Sequence, residues 1–258
     1  MSNRAEILDR IVALSHWLGD PGRDLAILGE GNTSARINAE SFFVKESGKG
    51  LLEADATSFV QVSTPAILAT LDGPDLDDSQ IRQVLLDARI GYTGDRPRPS
   101  VETFLHAYLL SLPDIEYVGH THPTAINAIL CSRHSREAVS GRLFPDEIVC
   151  CGPAVCYVEY TDPGIPLAKR LRTEVDAFIT AHNMAPKVIL MENHGLIATG
   201  KTPRDVETAT AMYVKTARVI LGTYALGGPR FLTPENVARI HTRPDESYRQ
   251  KLIAEKTA

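Results

Sequence analysis

Residues 187–199 read KVILMENHGLIAT and form a very apolar stretch that a polar turn interrupts. The two apolar runs, at 187–192 and 195–199, have the length of buried strands, and Gly195 allows a close approach of the backbone. They predict two strands joined by a short turn that contains His194. A histidine at the end of a buried strand beside glycine is a candidate functional residue, although a satisfied core histidine fits the same pattern.

Strands and helices alternate along the rest of the chain. Short apolar or alternating runs predict further strands at 25–28, 35–37, 41–44, 58–62, 115–120 and 155–160. Helical spacing and end signals predict helices ending at Gly19 and near Ala88, and others at 101–112, 166–180 and 203–222. The elements interleave without a repeat or long linker, so we predict one α/β domain over residues 1–258, with a C-terminal tail at about 226–258.

Composition restricts the partners. The 258 residues have a formal net charge of -5, which argues against nucleic acid or an anionic membrane surface as the main partner. The N-terminal segment lacks the apolar core of a signal peptide, and no apolar run approaches the roughly 18–20 residues that span a bilayer. The four cysteines form no C-x-x-C pattern, which favours free thiols in a reducing compartment. We therefore expect a cytoplasmic protein.

Two more histidines lie in Gly119-His120-Thr121-His122-Pro123. If residues 115–122 form a strand, the side chains of His120 and His122 project from the same face and can share a metal ion. Surface or core histidines explain an isolated H-x-H pattern about as well. Together with His194, however, they make three imidazoles with an open fourth position, which is typical of a catalytic zinc site.

Glu102 is the candidate acid/base. It lies in the first turn of the predicted 101–112 helix, where the helix dipole stabilises a carboxylate, so an ordinary first-turn glutamate is the alternative. The helix leads into the H-x-H strand, and a return of the chain could bring Glu102 to the metal. His106 shares the face of Glu102 at i+4. We expect it to orient the residues that bind the metal, without binding the metal itself.

Two glycine-rich turns are candidate anion sites. They are Gly29-Glu30-Gly31-Asn32-Thr33-Ser34 and Ser47-Gly48-Lys49-Gly50. Backbone N–H groups in such turns can cradle a phosphate, and the asparagine, serines and lysine add donors. Each turn is common by itself, and neither is a nucleotide-binding fingerprint.

Taken together, GEGNTSAR, SGKG, RPSVE, GHTHP and ENHGLIATG resemble the class II aldolase/adducin family in order and approximate spacing, over roughly residues 5–225. This family includes fuculose- and rhamnulose-1-phosphate aldolases and ribulose-5-phosphate 4-epimerases. The resemblance implies a three-layer α/β/α fold with a central, largely antiparallel sheet. It also implies a homotetramer with active sites between subunits.

The resemblance also implies roles for single residues. His120, His122 and His194 match the ligands of one zinc ion per subunit, and Glu102 matches the catalytic acid/base. Four positions match those that hold substrate phosphate: Asn32, Ser47, Gly48 and Ser100.

The sequence departs from the family pattern at two places. Val101 replaces a serine and removes one phosphate donor, and Lys49 is expected to restore the missing charge. A tyrosine that donates a proton in some members has no clear counterpart, because the matching region reads Phe144-Pro145-Asp146.

These residues suggest a zinc-dependent lyase of carbohydrate metabolism. A divalent ion would stabilise an enediolate, and Glu102 would move the proton, so that a carbon–carbon bond in a ketose, which we expect to be phosphorylated, is cleaved or formed. A sugar-phosphate 4-epimerase or a sugar-acid phosphate decarboxylase could use the same site. A non-catalytic, adducin-like binding module is the alternative of another class.

Overall fold

The two apolar runs around His194 form adjacent antiparallel strands near the middle of one mixed sheet. The computed structural model describes residues 4–74 and 76–243, which form seven strands in the order β3-β2-β1-β4-β7-β6-β5. All neighbours are antiparallel except β5 and β6. The strands are β1 Asn32–Asn38, β2 Ser41–Lys45, β3 Phe59–Ser63, β4 Tyr117–Thr121, β5 Cys156–Val158, β6 Val188–Met191 and β7 Gly195–Gly200.

Helices cover both faces of the sheet. Alternate residues of β6 point to opposite sides: Val188 and Leu190 join one core cluster, and Ile189 and Met191 join the other. The first cluster includes α1 Arg4–Gly19, α5 Thr124–Leu130, α6 Ser135–Ala138, α7 Pro145–Cys151 and α9 Pro203–Tyr224. The second includes α2 Thr64–Leu71, α3 Asp78–Asp87, α4 Thr103–Ser111 and α8 Ile165–His182. The predicted three-layer α/β/α class with a largely antiparallel sheet is confirmed.

Local signals placed the long helices well. Thr202 caps α9 by accepting a hydrogen bond from the Asp205 backbone N–H, Asp205 reciprocates, and Pro203 occupies the first turn. The helix ends at Tyr224, two residues beyond the predicted end at Gly222. Short helices such as α2 and α5 were not predicted, because a segment of seven or eight residues contains too few turns to show a period.

The predicted strand at 25–28 was wrong. Leu25 is buried and its carbonyl accepts a hydrogen bond from the backbone N–H of His122, but the following residues form a turn. Leu28 has a left-handed backbone (φ 54°) and is 90% exposed, and Ile27 is 64% exposed. The apolar run therefore leaves hydrophobic side chains on the surface.

The predicted tail lies only partly within the described residues, because residues 244–258 fall outside them. Its described part contains α10 Pro234–His241, whose Ile240 packs against Ile148 and Val149 of α7. In residues 4–74 and 76–243, every helix is too short or too polar to cross a membrane.

A buried ion pair fixes the segment that leads into α7. Arg142 donates from Nη1 to Glu147 Oε1 at 3.0 Å, and the two side chains are 2% and 1% exposed. The Leu143 backbone N–H donates to the other carboxylate oxygen, and Arg142 Nε donates to the Gly152 carbonyl. Removing one partner would leave an uncompensated charge away from water.

Glu147→Gln should therefore lower the free energy of unfolding by about 3–5 kcal/mol, because the Arg142 charge stays buried. Glu6→Gln is the matched control, since the exposed Glu6–Arg10 pair on α1 is worth only about 0–1 kcal/mol. Chemical denaturation of both variants measures the difference. Equal stability of the two variants would contradict the assignment.

Candidate metal centre and active site

Three histidines from two distant parts of the chain meet where the central strands β4, β6 and β7 end. His120 lies in β4, opposite Ile197 of β7 and Asn32 of β1, whereas His194 lies in the turn between β6 and β7. His122 lies one residue beyond the end of β4, so the condition that a strand extends over 115–122 is not met. Their candidate ligand atoms are within 4.8 Å of one another, and the Nε2 atoms of His120 and His122 are 3.0 Å apart.

The surroundings of the histidines suit a bound cation. The Nδ1 atom of His120 lies 2.9 Å from the Leu196 carbonyl, which can only accept, so Nδ1 carries the proton and Nε2 keeps a lone pair. The Nδ1 atom of His122 faces Glu30 Oε1 at 3.5 Å, which favours the same tautomer. Tetrahedral zinc at its usual bond lengths needs nitrogens about 3.3 Å apart. The donor set therefore fits such an ion.

Glu102 completes the cluster. It occupies the N-cap position of α4, whereas the sequence predicts it in the first turn. Its side chain makes no capping hydrogen bond. Its Oε1 atom lies 3.1 Å from His194 Nε2 and 3.4 Å from His120 Nε2. Burial alone would raise the pKa of the Glu102 carboxyl, but when the imidazoles of His120 and His194 are protonated, their charge and hydrogen bonds hold that pKa well below its usual range.

A buried chain of hydrogen bonds orients the other carboxylate oxygen. The Asn32 side-chain amide donates to Glu102 Oε2, and Asn32 Oδ1 pairs with Nε2 of His106. The Ser34 hydroxyl pairs with His106 Nδ1 at 2.6 Å. Burial lowers the pKa of His106 to about 3, so its imidazole is neutral. Because Asn32 Oδ1 can only accept, His106 Nε2 donates and Nδ1 accepts from Ser34.

The predicted phosphate-binding residues do not all lie together in the structure. Ser47 and Ser100 line one cavity of about 310 Å³. Gly48 lies in the adjoining turn with φ 88° and open space where a side chain would be. Asn32 instead bonds to Glu102. Lys49, expected to supply the missing charge, turns to the Ser58 hydroxyl at 3.0 Å and to the carboxylates of Glu46 and Asp55.

Sequence reasoning missed two charged residues near the site. The sequence indicates Glu30 only as part of a glycine-rich turn, but its carboxylate lies beside His122. Lys45 is 2% exposed and donates through Nζ to the backbone carbonyls of Glu46 and Lys49, so it braces the turn that contains Ser47. Burial lowers the pKa of Lys45, although the Glu46 and Glu102 charges oppose this. The sequence signal that could have identified Lys45 is its position directly after the apolar run 42–44.

The chain matches a known protein family over most of its length. The chain belongs to the class II aldolase and adducin N-terminal domain family, whose sequence model matches residues 9–221. The resemblance seen in the sequence is confirmed.

One known protein and several solved structures are similar to this chain. YuxG of Bacillus subtilis (strain 168), an uncharacterised oxidoreductase, is 30% identical over 221 residues; these are 83% of this chain but only 28% of YuxG. The N-terminal class II aldolase domain of a conserved Thermoplasma acidophilum protein superposes with a TM-score of 0.66 at 24% identity, covering 86% of this chain and 96% of that one. An L-fuculose 1-phosphate aldolase gives 0.67 at 16% identity, covering 93% and 96%. At these identities the two structures establish the fold alone.

The close packing of the histidines depends on Gly195. A Cβ atom at this position would lie 2.6 Å from the Thr121 carbonyl oxygen and 2.7 Å from His122 Cδ2. Gly195→Ala should therefore destabilise the fold by about 1–3 kcal/mol through overpacking. The thermal unfolding midpoint should fall by several degrees, since about 1 kcal/mol corresponds to roughly 2–4 °C at this size.

Gly222→Ala is the control, because Gly222 lies in helix α9 with open space around it. Alanine favours the helix by about 1 kcal/mol over glycine, so this midpoint should stay equal or rise. An unchanged midpoint for Gly195→Ala would show that the turn relaxes without cost.

Proposed function

We propose that this protein is a zinc-dependent class II aldolase that cleaves or forms a carbon–carbon bond in a phosphorylated ketose. The observation that carries the proposal is the convergence of His120, His122 and His194 with one carboxylate oxygen of Glu102. Family membership supports an enzymatic role. An adducin-like binding module would have no need for three ligand histidines together with an oriented carboxylate.

In this proposal the three histidines hold one zinc ion per subunit. Bound zinc would act as a Lewis acid that polarises the substrate carbonyl and stabilises the negative charge of an enediolate. Histidine nitrogens suit zinc better than magnesium or calcium, which prefer oxygen ligands. The hydrogen bond from His120 Nδ1 to the Leu196 carbonyl keeps Nε2 directed at the ion.

Glu102 moves the proton. In the condensation direction its carboxylate removes a proton from the carbon next to the ketone, that carbon forms a bond with the aldehyde carbon, and the aldehyde oxygen takes up a proton from solvent to become a hydroxyl. In cleavage that hydroxyl loses its proton to solvent as the carbon–carbon bond breaks, and Glu102 returns a proton to the carbon next to the ketone. The Asn32 amide holds Oε2 while Oε1 stays near the histidines, so one oxygen is positioned for the transfer. His106 and Ser34 orient Asn32 from behind.

Metal analysis tests the ligand set. The purified protein should contain about one zinc ion per chain, and His194→Ala should lose it because three nitrogen ligands become two. His134→Ala is the control, since the exposed His134 side chain contacts Glu137 and Tyr224, away from the three histidines, and its loss should leave the zinc content unchanged. Full zinc content in His194→Ala would contradict the proposed centre.

Glu102→Gln tests the proton transfer. The variant keeps the size of the side chain and its contact with Asn32, so the zinc content should be retained. Turnover should fall by about 10²–10⁴-fold, the usual contribution of a positioned acid/base. Assays with ketose 1-phosphates and with their aldehyde and ketone fragments measure it. Normal turnover in this variant would reject the role of Glu102.

Product analysis on the same panel separates the related reactions. An aldolase releases an aldehyde and a smaller ketone, whereas a 4-epimerase returns an isomeric sugar phosphate. A decarboxylase releases carbon dioxide from a sugar-acid phosphate. No turnover on any of these compounds by the zinc-loaded protein would favour a binding module.

We also propose that four copies assemble as a homotetramer with active sites at the subunit contacts. The turn after Leu25 supports this, because it exposes Ile27 and Leu28 next to the backbone contact with His122. A second copy would cover such apolar side chains. Leu28→Lys should therefore lower the mass measured by sedimentation and reduce activity. A wild-type mass of one chain would exclude the tetramer.

A further inference from the structure

The cavity that contains Ser47 and Ser100 also contains two arginines that sequence reasoning did not single out. Arg82 comes from α3, and Arg98 from the segment that leads to Glu102. The remaining wall is largely apolar, with Ile81 and Leu85 among its residues.

The carboxylate of one aspartate, Asp95, contacts both guanidinium groups. Asp95 Oδ2 lies 3.1 Å from Arg82 Nη2 and 3.4 Å from Arg98 Nη2, and the Asp95 carbonyl accepts from Arg98 Nε at 2.9 Å. The Asp95 side chain is 70% exposed and does not line the cavity. Exposed ion pairs of this kind are worth about 0–1 kcal/mol, so a stronger anion can replace the carboxylate.

The charges of the cavity wall favour an anion. Of the charged side chains that line it in the described part of the chain, two are arginines and one is the carboxylate of Asp78. Asp78 is exposed at the start of α3. Each guanidinium has five N–H donors, and the Asp95 contacts use one of Arg82 and two of Arg98.

The cavity adjoins the candidate acid/base along the chain. Ser100 and Val101 line it, and the Ser100 hydroxyl accepts a hydrogen bond from the backbone N–H of Glu102 at 3.3 Å. The Ser47 backbone N–H donates to the Arg98 carbonyl at 2.9 Å, which joins the glycine turn to the arginine segment. Ser100 and Glu102 are two positions apart in the chain, so their Cα atoms are separated by at most about 7.6 Å, roughly the reach of a sugar phosphate.

We propose that Arg82 and Arg98 bind the phosphate monoester of the substrate in this cavity and so determine specificity for phosphorylated ketoses. They supply the positive charge that Lys49 does not, and they offset the donor lost at Val101. Paired guanidiniums suit a phosphate because they present several donors to its oxygens. This inference rests on the proposed function for the identity of the substrate, but not for the anion site itself.

Inorganic phosphate tests the anion site without any assay of activity. Titration calorimetry on the zinc-loaded protein should show binding that weakens at least about tenfold in the double variant Arg82→Gln/Arg98→Gln. Phosphate held by the metal alone would bind the double variant and the wild type equally. Arg204→Gln is the control, because Arg204 is 44% exposed like Arg98 and pairs with Glu207 on α9. Its affinity should match the wild type.

Asp95→Asn is a second variant with the opposite expected sign. Removing the carboxylate that competes for both guanidiniums should tighten phosphate binding. This outcome does not depend on how well the double variant folds. Unchanged or weaker binding in Asp95→Asn, or unchanged binding in a folded double variant, would overturn the inference.

Kinetics on the substrate found in the panel separate this inference from the proposed function. The double variant should raise KM for the phosphorylated ketose about tenfold or more, with kcat within about threefold, and leave KM for the unphosphorylated ketose unchanged. Wild-type turnover with no change in KM or phosphate affinity would sink the inference alone. Loss of phosphate binding in a protein that turns over no substrate would sink the proposed function alone.

Discussion

Strand β4 pairs antiparallel with β7, and this register determines where the two parts of the candidate metal centre meet. His120 lies opposite Ile197, and its Nδ1 atom donates to the carbonyl of the preceding residue, Leu196. The same pairing ends at the turn that carries His194. A slip of one residue would turn every side chain of the strand to the other face, so the buried alternation on both sides of the sheet holds the histidines together.

The carboxylate reaches this centre by a different route. Helix α4 is buried along nearly its whole length, so packing on all sides, and not an apolar stripe, holds Glu102 at its start. Burying polar groups in this layer requires that each one finds a partner. The chain from Ser34 through His106 and Asn32 to Glu102 meets that requirement, and it leaves one carboxylate oxygen facing the histidines.

Charge is distributed unevenly in this acidic protein. The net charge is -5, yet a buried lysine and two arginines lie around the turn at Ser47. Lys45 shapes the turn from beneath, while Arg82 and Arg98 line the adjacent cavity. The wall of a cavity can therefore differ in charge from the molecule as a whole, since nearby charges outweigh distant ones that solvent screens.

The sequence alone determined the family, the three-layer class, most long elements and the residues that converge at the candidate metal centre. Those features have local signals: the apolar runs of β6 and β7, the cap of α9, and short motifs in a fixed order. Tertiary structure alone decided that the chain after Leu25 turns and exposes Ile27 and Leu28. It also decided that the Asn32 amide donates to Glu102, and that Lys49 turns away while Arg82 and Arg98 line the cavity. These outcomes depend on contacts between side chains far apart in the chain, which packing creates and the periodicity of a single segment does not contain.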